Sequence, residues 1–142
     1  MLVSQILKEK GDLVFTASPS DSVGAVAALL VARKVGAMVV LDEAHDVAGI
    51  VSERDIVRIV AEQGAEGLGQ PISVCMTKDV VFATPTETVD ELMGRMTDRR
   101  IRHLPVCREG KLIGIVSIGD LVKRKIAESV AEAETLKAYI AA

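Results

Sequence analysis

A chain of 142 residues holds one globular domain or two very small ones, and nearly half of it is hydrophobic, so a packed core is expected rather than disorder. Aromatic residues are scarce, with no Trp, two Phe and one Tyr, so the core must be aliphatic, and stacking of single-stranded nucleic acid on rings is argued against. A net charge of −3 supplies no chain-wide basic field for DNA, RNA or anionic lipid.

The first residues, Met1-Leu2-Val3-Ser4-Gln5-Ile6-Leu7-Lys8, show no charged leader running into a long apolar stretch. The apolar runs around Val23–Val31 and Ala37–Leu41 are too short or too interrupted to span a bilayer. A cytoplasmic protein with no membrane partner is therefore expected. Cys75 and Cys107 form no Cys-x-x-Cys pair and have no His at ligand spacing, so they read as reduced, small apolar side chains, with no metal required.

Along the chain, Ser4–Leu7 leads into a strand at Val14-Phe15, and then a motif begins that recurs. Ser18-Pro19-Ser20-Asp21-Ser22-Val23 returns 66 positions later as Thr84-Pro85-Thr86-Glu87-Thr88-Val89. The apolar stations Val23, Val26, Ala27 and Leu30 match Val89, Leu92, Met93 and Met96, at the i, i+3, i+4, i+7 spacing of one helix face. A buried strand follows in each copy, Ala37–Leu41 and His103–Cys107, and then a polar turn, Asp42–Asp46 or Arg108–Lys111. His45 lies in the first turn and reads as solvent-exposed. Pro105 lacks a ladder N–H, which places its strand at an edge or a bulge.

The second turn is one residue shorter, and beyond it Gly49-Ile50-Val51-Ser52 and Gly114-Ile115-Val116-Ser117 are identical, each followed at the same distance by Asp55 or Asp120. The Gly-rich stretch Glu62–Pro71 connects the copies, and a short turn, Ile72–Met76, leads into a strand at Val80-Val81-Phe82. From Ile118 onward Leu121, Val122, Ile126, Val130, Ala133, Leu136 and Ile140 recur every three or four residues with no interruption. Such a helix is about 33 Å long. Each repeat thus reads strand, helix, strand, turn, strand, helix, an α+β (mixed α/β) fold in which hairpins are covered by amphipathic helices. Repeat 1 is assigned to residues 1–66, repeat 2 to 67–126, and a helical extension to 127–142. Units this small are marginal alone, so the two are expected to form one compact pseudo-twofold module.

The Pro-containing helix lead-in, the strand Ile101-Arg102-His103-Leu104-Pro105-Val106 and the two Gly-Ile-Val-Ser-x-x-Asp segments resemble the cystathionine-β-synthase (CBS) domain pattern, present twice from about Val3 to Arg124. The style is that of stand-alone bacterial CBS pairs and of the pair in inosine-monophosphate dehydrogenase. The resemblance implies β-α-β-β-α repeats and clefts between them that take AMP, ADP, ATP, NAD(H) or S-adenosylmethionine, with AMP the leading choice. It carries ribose binding onto Asp55 and Asp120, with Ser52 and Ser117 adjoining. Phosphate contact falls on Arg102 and His103, base or ribose contact on Ser18 and Thr84, and Pro105 belongs to the same implied set.

Other readings of the same residues stand beside these. Ser-x-x-Asp is equally a helix-capping box, worth about 1 kcal/mol. Arg54 is either a phosphate fork at a helix start or a solvated surface charge, and Gly119 at the other start permits close approach of a ligand. The run Arg95, Arg99, Arg100, Arg102, His103 has uncharged counterparts, Gly36 and Ala37, opposite its last two members, so the two ligand sites are expected to differ. Met76, Met93 and Met96 fit packing better than metal ligation. No phosphate loop, metal cluster or nucleophile–base pair is visible, so the chain is not read as an enzyme. The expected function is a regulatory adenine-nucleotide sensor, homodimeric through its CBS modules and the C-terminal helix, acting on an unidentified protein. A dimeric interaction scaffold without a ligand is the alternative.

Overall fold

The computed structural model describes residues 1–11 and 14–141. The elements are α1 (Val3–Lys10), β1 (Thr16–Ala17), α2 (Val23–Arg33), β2 (Ala37–Leu41), β3 (Val47–Ser52), α3 (Glu53–Gln63), α4 (Val89–Arg99), β4 (His103–Arg108), β5 (Lys111–Ser117) and α5 (Ile118–Ala141). Two short 3₁₀ turns, Gly64–Gly69 and Ile72–Val74, occupy the Gly-rich connection and the segment after it. The chain divides into two compact units, one of residues Leu13–Val81 and the other of Met1–Asp12 with Phe82–Ala142.

In the unit of Leu13–Val81, β1, β2 and β3 form a sheet in that order, β1 parallel and β3 antiparallel to β2. Its core is aliphatic, as the composition requires. Val23, Val26 and Leu30 of α2, Met38 and Val40 of β2, Val51 of β3, Ile59 of α3, and Ile72 and Cys75 pack into one cluster. Ser22 caps α2, its hydroxyl accepting from the Ala25 N–H at 3.1 Å. The helix ends on Lys34 in the left-handed region, with φ 55°, and the Val35 N–H closes back onto the Leu30 carbonyl.

The other unit repeats this plan. Thr88 caps α4 through the Glu91 N–H, and Arg100 ends it with φ 55°. β4 and β5 pair in the register of β2 and β3: His103 faces Ser117 as Ala37 faces Ser52, and the bulge after Val106 matches that after Val40. Glu109 and Gly110 both have positive φ, which makes the shorter turn a two-residue hairpin. In the longer turn the Asp42 carboxylate accepts from the N–H groups of Ala44 and Asp46, and His45 is exposed.

The expected strands at Val14-Phe15 and Val80-Val81-Phe82 are displaced. Pairing begins at Thr16–Ala17 in one unit and is confined to Ala83, bridged to Val106, in the other. Upstream residues have other partners: Phe15 packs against the core cluster under the Arg33 guanidinium, and the Phe82 carbonyl accepts from Arg95 at 3.0 Å. Pro105 pairs with Ile115 one residue before the bulge, in a two-stranded sheet, as its missing N–H requires.

The segment that leads into each repeat docks on elements of the other one. Val3 and Ser4 donate to the carbonyls of Glu87 and Pro85, and Val89 donates to Met1. Ile72 and Ser73 donate likewise to Asp21 and Pro19, and Val23 to Gln70. The compact units therefore cross the repeat boundaries read from sequence: the segment that carries α1 serves the unit of the second repeat, and residues 67–81 serve that of the first. The identical glycines explain how each segment seats. A Cβ on Gly114 would lie 2.5 Å from Leu7 Cδ2, and one on Gly49 would lie 2.8 Å from both Met76 Sδ and the Thr77 carbonyl. α5 runs for 24 residues, and its surface from Ala131 to Ala141 is exposed throughout.

Candidate functional site

In the unit of Leu13–Val81 the implied binding residues are Ser18, Ser52, Arg54 and Asp55. Ser18 is exposed just past β1, and its N–H donates to Asp21 Oδ2 at 2.9 Å, which closes the turn into α2. Ser52 ends β3 and begins α3. Its N–H donates to Asp55 Oδ2 at 2.8 Å and its hydroxyl to the same oxygen at 3.2 Å. The other carboxylate oxygen, Oδ1, takes Arg58 Nη2 at 2.7 Å. Asp55 is only 4% exposed, and both of its oxygens are spent on its own helix and on an ion pair. Arg54 is exposed in the first turn of α3. Arg58, three residues from Asp55 and also donating to the Cys75 carbonyl, is the residue the sequence reading passed over. Its spacing alone could have revealed it.

In the other unit Thr84, Arg102, His103, Pro105, Ser117 and Asp120 are in question. Thr84 occupies the place of Ser18, exposed past Ala83, with its N–H on Glu87 Oε1 at 2.9 Å. Arg95 pairs with the same Glu87. Pro105 is buried, its carbonyl accepting from Ala83 N. The remaining four gather at one end of the β4–β5 hairpin. His103, half-buried, is the cross-strand partner of Ser117, and the exposed Arg102 gives its carbonyl to the Ile118 N–H at 2.8 Å.

Ser117 and Asp120 form the reciprocal capping box of α5: the Ser117 N–H donates to Asp120 Oδ2 at 2.9 Å, and the Asp120 N–H donates to Ser117 Oγ at 3.1 Å. Lys10 Nζ also donates to Asp120 Oδ2, at 2.7 Å, and to the Ile115 carbonyl at 3.0 Å. The Asp120 side chain stays 26% exposed. Burial pushes its carboxyl up, but hydrogen bonds from Lys10 and Ser117, with the Lys10 charge, bring it below the usual carboxylate range. No sequence signal marked Lys10, which lies 110 positions from Asp120.

Both aspartates thus cap their helices, but they differ in what is left over. Asp55 is closed off, whereas Asp120 is partly exposed beside the Lys10 ammonium and the Ser117 hydroxyl. Among the described residues no group of three His, Cys, Asp or Glu gathers as a metal site, and no helix is long and apolar enough to cross a membrane. Burial raises both thiols, that of Cys75 also through the nearby Asp55 charge.

Comparisons with known proteins agree with this plan. The sequence profile of the CBS domain matches residues 11–62 and again 72–127. A mitochondrial CBS-domain-containing protein of Arabidopsis thaliana is 34% identical over 97% of this chain and 71% of its own. Inosine-5'-monophosphate dehydrogenase of Methanocaldococcus jannaschii is 31% identical over 79% of this chain and 22% of the enzyme. Among solved structures, a CBS-domain-containing protein of Agrobacterium tumefaciens is 48% identical with a TM-score of 0.86, over 87% of this chain and 92% of that one. The CBS-domain pair of protein MJ0100, in complex with 5'-methylthioadenosine and S-adenosylmethionine, is 25% identical, with a TM-score of 0.81, over 90% of this chain and 98% of that one. A CBS-domain protein of Pyrobaculum aerophilum complexed with AMP is 26% identical, with a TM-score of 0.76, over 84% and 89%. The chain is a tandem pair of CBS domains and belongs to the CBS-domain family.

Proposed function

We propose that this CBS pair is a regulatory sensor that binds an adenine nucleotide, AMP foremost, without transforming it. The observation that carries the reading is that two proteins of the same fold, at about a quarter identity, were solved with adenosyl ligands. The grouping of Arg102, His103, Ser117 and Asp120 at one end of a hairpin supports it, because that grouping offers cationic and hydroxyl donors beside a carboxylate suited to a sugar. ADP, ATP, NAD(H) and S-adenosylmethionine share the adenosyl part and stand behind AMP. A sensor needs its ligand to prefer one arrangement of the protein, which an unidentified regulated protein then reads.

Equilibrium dialysis across these ligands tests the proposal, with AMP expected to bind and Arg102→Ala to weaken AMP much more than adenosine. Equal loss for adenosine rejects the phosphate role, and no binding at millimolar nucleotide rejects the sensor. The second reading, a dimeric scaffold, is favoured by the closed-off Asp55 and by the apolar side chains exposed along α5. Val122, Ile126, Val130, Leu136 and Ile140 recur down that helix, past the point where it packs on its own unit. We assign that stripe to a homodimer contact under either reading. Removal of residues 127–142 is expected to halve the mass in solution, and an unchanged dimer rejects the assignment.

A further inference from the structure

α2 is apolar on every side, which is unusual for a helix that faces water. Val23, Val26 and Leu30 fill the core of its own unit, yet Ala25, Ala28 and Ala32 on the opposite side are exposed, with Leu29 and Val31 beside them. The equivalent helix of the other unit, α4, has Glu91, Gly94, Arg95, Thr97 and Asp98 where α2 has Ala25, Ala28, Leu29, Val31 and Ala32. One helix is therefore built for solvent and the other for a cover.

The apolar surface continues from α2 to α3. A Cβ on Gly24 would lie 3.3 Å from the Leu68 carbonyl, and one on Gly67 would lie 3.0 Å from the Ile59 carbonyl, so the 3₁₀ turn bridges the two helices. Leu68, Val57 and Val60 are exposed along it, and Val31 and Val57 are 80% and 67% exposed. α2 and α3 run in opposite directions, because the Glu53 N–H meets the Gly36 carbonyl at one end and the Val23 N–H meets that of Gln70 at the other. Arg33, Lys34 and Arg54 are exposed at the first end, offset in part by Glu53, and Glu62 and Glu66 are exposed at the second.

The exposed stripe of α5 is the complement of this face. Its side chains are large, Ile126, Val130, Leu136 and Ile140, where those of α2 are small, so a ridge meets a shallow groove. Glu132 and Glu134 stand on either side of Ala133, and Lys123 lies about 15 Å back along the helix, close to the length of about 16 Å that α2 spans. Among the described residues, none of Lys34, Arg54, Lys123, Glu132 and Glu134 forms an ion pair.

We propose that the α5 stripe of one copy of this chain seats on the α2–α3 face of a second copy. Glu132 and Glu134 then lie over the end with Arg33, Lys34 and Arg54, and Lys123 points toward Glu62 and Glu66. A two-fold axis makes the seating reciprocal, so one dimer contains it twice. This rests on the assignment of α5 to a homodimer contact above and adds the surface that receives it.

Disulfide trapping tests the seating. Ala28→Cys and Val130→Cys chains are expressed separately and together, oxidised, and their cross-linked peptides identified by mass spectrometry. Co-expression is expected to give a link between positions 28 and 130 of different chains, and neither variant alone a link to itself. A Val130→Cys self-link means that α5 pairs with α5, and an Ala28→Cys self-link means that the face meets its own copy. Either result overturns the seating and leaves the homodimer standing, as does a dimer that yields no link. A monomeric wild type overturns both. Independently, Lys34→Glu with Arg54→Glu is expected to weaken dimerisation about tenfold in sedimentation equilibrium, since each charge acts twice per dimer. Glu132→Lys with Glu134→Lys in the same chain is expected to restore it, and further weakening instead overturns the proposed direction of α5 on the face.

Discussion

Gly49→Ala probes how the lead-in segments are seated. A Cβ there would stand 2.8 Å from the Thr77 carbonyl and from Met76 Sδ, and 3.0 Å from Met76 Cγ. The sulfur can move, but the carbonyl cannot easily do so, because Thr77 is held to Ile50 by backbone hydrogen bonds in both directions. Overpacking of this kind costs about 1–3 kcal/mol, and loss of one of the Thr77 bonds adds about 1. Reduced unfolded-chain entropy returns about 0.4–1. The net expectation is destabilisation by about 2–3 kcal/mol. Gly114→Ala meets a different obstacle, the end of the Leu7 side chain at 2.5 Å, which can change rotamer or shift with α1. Its cost is expected to be about 1 kcal/mol. Urea denaturation of both variants and wild type, with m-values compared, measures the difference. Should Gly114→Ala prove the more damaging, or Gly49→Ala fall within about 0.5 kcal/mol of wild type, a rigid backbone contact is not what these glycines serve.

Three further outcomes are expected. Asp55→Ala removes the acceptor of the Ser52 N–H and the partner of a half-exposed Arg58, so it should cost about 2 kcal/mol in urea denaturation, mostly through the lost cap. AMP affinity should stay within about twofold of wild type, and a larger loss would make Asp55 a binding residue. Lys34→Gly relieves a left-handed backbone at an exposed helix end and should raise stability by about 0.5–1 kcal/mol, while a melting point that falls would contradict the strain assigned there. Glu87 and Asp120 have carboxyls depressed in the folded state, Glu87 chiefly by its hydrogen bond to Arg95. Stability from a depressed carboxyl is present above the unfolded value of about 4 and is lost as pH falls through the folded value. Melting temperature should therefore hold steady from neutrality to about pH 5 and drop below about pH 4, with a shallower drop in Glu87→Gln and Asp120→Asn. An unaltered slope in both variants would refute the linkage.

Much of the fold was legible because it is encoded locally. The recurring Ser/Thr-Pro turns, the three-and-four spacing of Val23–Leu30 and Val89–Met96, and the shared Gly-Ile-Val-Ser each specify an element from its own residues. The capping use of Ser52–Asp55 and Ser117–Asp120 was legible for the same reason. Pairing over distance was not. Met1–Leu7 and Gln70–Met76 dock through equivalent backbone bonds, yet little of their sequence matches, because a backbone N–H makes the same bond whatever side chain it carries. The short strands were misplaced for a related reason: Phe15 and Phe82 look like strand residues, but the ladder starts only where β2 and β4 offer partners. Lys10 could not be found by pattern at all, since its role follows from α1 continuing where the corresponding segment straightens.

The crossed lead-in segments bear on how this duplicated chain can be taken apart. Cutting midway between the copies would strip α1 from the half that it completes and leave the other half without its Ile72–Val74 turn. A fragment of residues 13–81 is uninterrupted and carries every partner its own sheet uses, whereas the complementary body is stitched from both chain ends. A circular permutant, with 82–142 fused ahead of 1–12, would bring that second body onto a single continuous polypeptide. Half-proteins for biophysical work on this chain are best designed on that permuted plan.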